Sequence, residues 1–118
     1  MDVNSIQKQL RIFAAERNWE RYHSPKNLAT ALVVEAAELA EIFQWMHPDE
    51  ADGIQESATH MSRIREEIGD VTNYLLRLAD VLDIDLEAAA LAKIKKNAEK
   101  YPPGADSPRS AKEEGPAH

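Results

Sequence analysis

Two pairs of carboxylates recur at a spacing of three residues, and both stand among apolar residues. Glu35 lies seven positions after Leu28 and four before Leu39, so a helix through this region places Glu35 on its apolar stripe. Glu38 follows three positions later, which on a helix brings both side chains within reach of one ion. Two neighbouring anions repel each other and burial increases that cost, so a bound cation would relieve both problems.

The second acidic pair repeats this spacing. Glu67 and Asp70 are again three residues apart. Apolar residues flank them on the predicted core side of the same helix: Ile64, Ile68 and Val71. Two such pairs, packed across a helix interface, would supply the hard oxygen ligands that Mg²⁺ prefers and leave positions for water and phosphate oxygens. The sequence therefore predicts a magnesium site built from both pairs, in which Mn²⁺ could substitute.

Other uses of these acids fit the sequence less well. The chain has no cysteine and neither acidic motif contains histidine, which disfavours zinc. A di-iron bundle normally carries ExxH on two helices, whereas Glu38 and Asp70 fill the positions of those histidines. The acids could also be ordinary solvated residues, since a single ExxE motif is common. Two pairs embedded in two apolar stripes favour the metal site over that alternative.

The charge of the chain restricts its partners. Fourteen Lys and Arg residues against twenty-one Asp and Glu residues give a formal net charge of −7. This negative charge repels nucleic-acid backbones and anionic membranes, so neither is an expected partner. A phosphorylated small molecule would also be repelled unless a divalent cation reversed the local charge. The predicted metal site supplies that cation.

Cysteine content and hydropathy indicate the cellular compartment in which the protein is expected. The absence of cysteine excludes disulfides, and the first residues, MDVNSIQKQL, lack the basic and apolar regions of a secretory signal. Glu35, Glu38 and Glu41 interrupt the most apolar stretch, well short of the roughly 18 uninterrupted apolar residues that a membrane span needs. We expect a cytoplasmic protein.

Four helical periodicities position the acidic pairs, and no strand-like alternation competes with them. Residues 47–59 lack a sustained apolar period and predict a connection with a short helical turn. The predicted helices run from Ser5, with Asn4 as cap, to Trp19, from Pro25 to Trp45, from about Ser62 to Leu82, and from Leu86 to the prolines at 102 and 103.

These helices predict an all-α fold whose simplest form is a four-helix bundle. Residues 1–102 are expected to form one domain, and residues 103–118, rich in Pro, Ser, Ala and charge, a disordered tail. A single domain of this size buries a limited core. Association into a homodimer or homotetramer is therefore expected.

Four segments, which together span about residues 10–102, have a family signature. They are NWERYHSPKNL at 18–28, EAAELAEIFQW at 35–45, EEIGDVTNYL at 66–75 and KIKKNAEKYP at 93–102. In order and spacing they resemble the MazG-like superfamily of all-α nucleotide pyrophosphohydrolases, and its compact dCTP pyrophosphatase branch in particular. The resemblance implies an oligomeric, magnesium-dependent enzyme that cleaves nucleoside triphosphates, dNTPs among them, to monophosphate and pyrophosphate and so cleans the nucleotide pool.

The resemblance also implies roles for individual residues. The acids Glu35, Glu38, Glu67 and Asp70 match the family's magnesium ligands. The aromatic residues Trp19, Trp45 and Tyr74 match positions that enclose the nucleotide, with core packing as the alternative for each. The C-terminal residues Lys93, Asn97 and Lys100 match a phosphate-contacting motif, although basic residues at a helix end also complement the helix dipole.

Three further positions concern substrate selection. His23 is a candidate for substrate contact or for loop packing. Asn73, one turn from Asp70, could offer a donor and an acceptor to a base edge, or it could be a surface amide. The dCTP pyrophosphatase branch uses a histidine in its first helix where this sequence has Leu10, so the resemblance does not fix the preferred base.

The expected reaction is metal-assisted hydrolysis at the α-phosphorus, with Glu38 as the leading candidate for the base that activates water. Two alternatives remain at the level of the sequence. One is a noncatalytic helical module with a regulatory or interaction role, in which the acids only provide solubility. The other is a phosphoribosyl-ATP pyrophosphatase, which has a similar helical design.

Overall fold

Helices and their short connections make up residues 1–104, the part of the chain that the computed structural model describes. These residues contain no strand, and the predicted all-α fold is confirmed. The predicted tail, apart from residues 103 and 104, lies outside the described residues. The α-helices are α1 (Val3–Glu16), α2 (Pro25–Phe43), α3 (Pro48–Asp52), α4 (Ala58–Val81) and α5 (Leu86–Lys100), and two 3₁₀ turns cover Glu20–Tyr22 and Ile54–Glu56.

Side-chain caps fix where the longer helices begin. The Ser24 hydroxyl accepts a hydrogen bond from the Asn27 amide at 3.2 Å, and Pro25 fills the first turn of α2, as the sequence predicted. The helix α1 is capped by Asp2 rather than by the predicted Asn4, so it begins two residues earlier than expected. The capping residues of α1, α2, α4 and α5 are Asp2, Ser24, Ser57 and Asp85.

One backbone motif ends both α1 and α4. Asn18 adopts the left-handed conformation with φ of 56°, and the Trp19 amide then donates to the Ala14 carbonyl at 2.9 Å. Asp83, with φ of 55°, has the same role after α4, where the Ile84 amide donates to a carbonyl five residues back at 2.8 Å. This motif ends α1 at Glu16 and turns the chain, so Trp19, the last residue of the predicted helix, lies outside the observed one.

The helix α4 is the centre of the packing, because both α2 and α1 pack against it. A buried hydrogen bond of 2.9 Å from Gln7 Nε2 to the Leu76 carbonyl oxygen joins α1 to α4. An ion pair of 2.8 Å between Arg11 Nε and Asp80 Oδ2 joins the same two helices. The buried apolar residues are Ala14, Leu28, Ile42, Ile64, Leu76 and Ala79.

The chain divides into two compact units, Met1–Ile84 and a second that begins at Asp85. The second unit contains α5, capped by Asp85, whose last turn is closed by a 2.8 Å bond from the Tyr101 amide to the Asn97 carbonyl. Among residues 1–104, no helix combines the length and apolarity that crossing a membrane requires.

Candidate functional site

Three carboxylates meet where α2 packs on α4. Glu35 and Glu38 belong to α2 and Glu67 to α4, and one oxygen of each lies within 4.8 Å of the others. All three side chains are half-buried. The structure therefore brings together three of the four predicted metal ligands, which we call the carboxylate cluster.

The cluster contains buried oxygens that need a partner. Glu35 Oε2 and Glu67 Oε2 are buried and receive no hydrogen bond from any described residue. Burying a carboxylate oxygen without a partner is unfavourable, and such atoms are rare in folded proteins. Oxygen ligands without nitrogen or sulfur suit a hard divalent cation. The cluster could hold a metal ion, which would satisfy both oxygens.

The surroundings of Glu35 change its protonation. Burial raises the pKa of Glu35 to about 7, helped by proton sharing with the carboxyl groups of Glu38 and Glu67. The negative charges of Glu38 and Asp70 raise the same pKa further. Without a cation, Glu35 is therefore about half protonated at neutral pH.

Asp70 links the carboxylate cluster to a cleft beside it. It lies one turn after Glu67 on α4, is exposed, and is not one of the three acids that share the 4.8 Å spacing. Its side chain lines a cleft of about 500 Å³ between α1 and α4. A ligand in this cleft would thus have one end near the acidic residues.

The cleft has a largely apolar and aromatic wall. Four of the residues predicted to bind substrate line it: Trp19, His23, Asn73 and Tyr74. The remaining lining residues are Ile6, Gln9, Leu10 and Phe13 of α1, with Asp70 and Arg77 of α4. A second hollow of about 320 Å³ shares Trp19, His23 and Tyr74 with the cleft. The two recesses thus share these three residues in their walls.

Trp19 is positioned by its neighbours without being part of the core. Its ring packs edge-on against Phe13, with 5.6 Å between centroids and 69° between planes. The Arg17 guanidinium lies 3.5 Å from the Phe13 centroid on α1. The Trp19 side chain is still 45% exposed, so part of its ring is free to contact a ligand.

Arg77 is a cleft residue that the sequence analysis missed. Its Nε donates to His23 Nδ1 at 3.1 Å and its Nη1 to Asp80 Oδ2 at 3.4 Å. Burial and the Arg77 charge lower the pKa of His23, against a smaller opposing effect of Glu20. The sequence contained a signal for placing Arg77 at the site, because Arg77 lies seven residues after Asp70 and therefore on the same helix face. The α1 residues of the cleft, Leu10 apart, were also missed.

The remaining predicted site residues belong to the segment after α2 and to α5. Trp45 follows the end of α2, is 89% exposed and lines neither recess. Lys93, Asn97 and Lys100 lie on α5 in the second unit, where Lys100 Nζ is 5.4 Å from the Tyr101 ring centroid. The proposed roles of these four residues remain predictions.

Known proteins with similar sequences or structures agree on one family. The model of the MazG-like family matches residues 30–113. dCTP pyrophosphatase 1 of Bos taurus is 47% identical over 91 residues, which are 76% of this chain and 53% of that protein. The Homo sapiens protein of the same name is 44% identical over 90 residues, with the same two shares. The chain thus spans about half the length of these curated relatives.

A solved structure extends the similarity to the fold. The crystal structure of a pyrophosphatase from Archaeoglobus fulgidus DSM 4304 superposes with a TM-score of 0.79 at 42% sequence identity. The match covers 86% of this chain and 94% of that one. With the paired acidic motifs on two packed helices, these similarities establish that the chain belongs to the MazG-like family.

Proposed function

We propose that this chain hydrolyses nucleoside triphosphates, and deoxynucleoside triphosphates in particular, to the monophosphate and pyrophosphate. The observation that supports this most is a cluster of three carboxylates, within 4.8 Å of one another, next to an aromatic-lined cleft. The activities in the names of the relatives, dCTP pyrophosphatase and pyrophosphatase, point the same way.

Magnesium is the proposed cofactor, with Mn²⁺ able to replace it. Glu35 and Glu67 would hold the ion through their buried oxygens, with Glu38 and Asp70 completing the acidic set. The ion, when bound, would neutralise the phosphate charge that a chain of net charge −7 otherwise repels. This charge also favours a small metal-bound nucleotide over a nucleic-acid polymer or a membrane as partner.

The cleft would bind the nucleoside. Trp19 and Tyr74 offer aromatic surfaces to the base, and the Asn73 amide offers a donor and an acceptor to its edge. Leu10 presents an apolar side chain where the dCTP pyrophosphatase branch has a histidine. We infer that this enzyme selects its base differently from that branch.

Glu38 is proposed as the base. The buried oxygens without partners in the described residues belong to Glu35 and Glu67, so Glu38 is the cluster member best placed to meet water. Glu38 would accept a proton as the water oxygen attacks the α-phosphorus. The bond from the α-phosphorus to the bridging oxygen then breaks and pyrophosphate leaves.

Resemblance to the family motif in KIKKNAEKYP supports Lys93, Asn97 and Lys100 as phosphate contacts. Trp45, which the same family pattern assigns to nucleotide binding, would need a covering partner because it is 89% exposed.

We place the reaction in the cytoplasm, since a sequence of 118 residues without cysteine is compatible with a reducing compartment.

The protein is expected to be a homo-oligomer, dimer or tetramer. Leu28 and Leu76 are the only large side chains fully buried within the described residues. By contrast Val33, Val34 and Ile68 are 67%, 50% and 49% exposed on the two helices that carry the acids. Light scattering should therefore give at least twice the chain mass of 13.2 kDa. A fully active monomer at nanomolar concentration would contradict this expectation.

The proposed activity is tested by a panel of canonical and modified dNTPs, ribonucleotides and phosphoribosyl-ATP, assayed with and without Mg²⁺. We expect magnesium-dependent turnover of dNTPs with pyrophosphate, not orthophosphate, as the second product. Preference for phosphoribosyl-ATP would indicate the biosynthetic enzyme. Absence of turnover with every substrate would favour the noncatalytic module.

A further inference from the structure

A chain of polar contacts runs from α1 through α4 to the cleft. Asp80 Oδ2 accepts from Arg11 Nε at 2.8 Å and from Arg77 Nη1 at 3.4 Å, and Arg77 Nε donates to His23 Nδ1 at 3.1 Å. The Arg77 side chain is only 11% exposed, whereas that of Arg11 is 52% exposed. Arg77 is thus held from one side by Asp80 and faces His23 on the other.

The contact between Arg77 and His23 determines which imidazole nitrogen carries the proton. A guanidinium has donors and no acceptor, so His23 Nδ1 must accept and cannot be protonated. The neutral ring then has its proton on Nε2. The pKa of His23, lowered by burial and by the Arg77 charge, agrees with a neutral ring.

His23 lines both recesses, and Nε2 is the ring nitrogen that remains to meet a ligand. We propose that Arg77 is a positioning residue for base selection, which holds His23 in the tautomer whose Nε2–H donates to an acceptor atom of the nucleotide base. This inference rests on the proposed function, because it takes the ligand of the cleft to be a nucleotide.

The surroundings favour a base over a phosphate as the partner of His23. Leu10, Phe13, Trp19 and Tyr74 line the same cleft, and such a wall suits a flat, neutral ring. A neutral N–H matches a ring nitrogen or carbonyl oxygen of a base. Leu10 offers no hydrogen bond to a base, so hydrogen bonds that select the base must come from other residues of the cleft. The contact with Arg77 holds His23 in the tautomer that can donate such a bond.

The first test uses the unaltered protein without nucleotide. Nitrogen-15 NMR should show His23 Nδ1 as an unprotonated ring nitrogen and Nε2 as a protonated one. The Arg77 Nε–H should exchange slowly with solvent. A proton on Nδ1 of His23 would overturn the proposal, whatever the enzyme hydrolyses.

The second test compares Arg77→Met with Arg11→Met. Both remove a guanidinium from Asp80, but only Arg77 contacts His23. We expect Arg77→Met to raise the KM for dCTP about fivefold, the size of one lost hydrogen bond, with kcat changed less than twofold. The KM for 2-deoxyribose 5-triphosphate, which lacks a base, should not move. Arg11→Met should leave both KM values and the His23 nitrogen shifts unchanged.

Two kinetic outcomes would overturn the proposal. They are an unchanged KM for dCTP in Arg77→Met, and an equal rise for both substrates, which would indicate a general structural role. If Arg77→Met does not fold, Arg77→Lys replaces it, with a smaller rise expected because lysine keeps the charge without the planar geometry.

Failure of the proposed function would be seen separately. If dCTP is not hydrolysed, titration of the labelled protein with dCTP and Mg²⁺ still decides the inference. Movement of the His23 Nε2–H resonance on binding supports it, and binding without such movement overturns it. Absence of binding by dCTP and by the other canonical dNTPs overturns it as well.

Discussion

Replacing Glu38 with glutamine is expected to lower magnesium-dependent release of pyrophosphate by about 10²- to 10⁴-fold, the usual contribution of a positioned base. Glutamine keeps the shape of the side chain but can neither accept the proton of water nor supply a negative ligand. Glu38 lies within 4.8 Å of Glu35 and Glu67, so the substitution also removes one repelling charge from the metal-free cluster. Turnover at saturating dCTP measures the loss of activity, and circular dichroism should show that the helical content is preserved.

Glu66→Gln is the matched control for this substitution. Glu66 stands next to Glu67 on α4, but it is exposed and lies outside the carboxylate cluster. Because both variants change the net charge equally, a general electrostatic effect would appear in both. Wild-type turnover of Glu38→Gln at limiting Mg²⁺ would refute the assignment of Glu38 and favour a noncatalytic role for the cluster.

The helices could be predicted because their signals are local in the sequence. Apolar periodicity gave the number and order of the long helices, and Ser24 with Pro25 marked the start of α2. The errors lie at the ends. Asn18 stops α1 through a left-handed turn, and Ser57 caps α4, which begins at Ala58, four residues before its predicted start. The exact end of a helix depends on which of several polar residues bonds a free backbone group, and the spacing of apolar residues does not determine this.

From residue spacing alone, the site could be predicted only where a single helix contains the pattern, whereas Trp19 and His23 were indicated by the family resemblance. Glu35 and Glu38 were identified because an acid on an apolar stripe is unusual, and the structure places both beside Glu67. Arg77 was missed because its importance depends on His23, a residue 54 positions away that only the fold brings into contact. The α1 wall of the cleft was missed for the same reason, because it forms only when α1 packs on α4.

Magnesium affinity is expected to fall about tenfold for each pH unit below 7, because binding must displace a proton from the cluster. The pKa of Glu35 is raised to about 7, first by burial and then by the neighbouring carboxyl groups. As the pH rises through and beyond 7, Glu35 loses this proton and the affinity should level off. Titration of the metal by calorimetry between pH 5.5 and 8 measures this slope, and release of about one proton per ion at pH 6 is expected.

The same proton stabilises the metal-free protein. Lowering the pH is therefore expected to raise the stability of the metal-free fold while it lowers the affinity for magnesium. The folded-state pKa of Glu35, about 7, exceeds the ordinary pKa of a glutamate, 4.5, so the native state binds more protons than the unfolded state between these pH values. The contribution of Glu35 to stability is therefore largest below pH 4.5 and is lost as the pH rises through 7. Urea unfolding in EDTA should show this loss in the wild type but not in Glu35→Gln, which should also lack stabilisation by Mg²⁺. An identical pH dependence in both proteins would mean that Glu35 ionises normally and that the cluster binds its ion without competition from a proton.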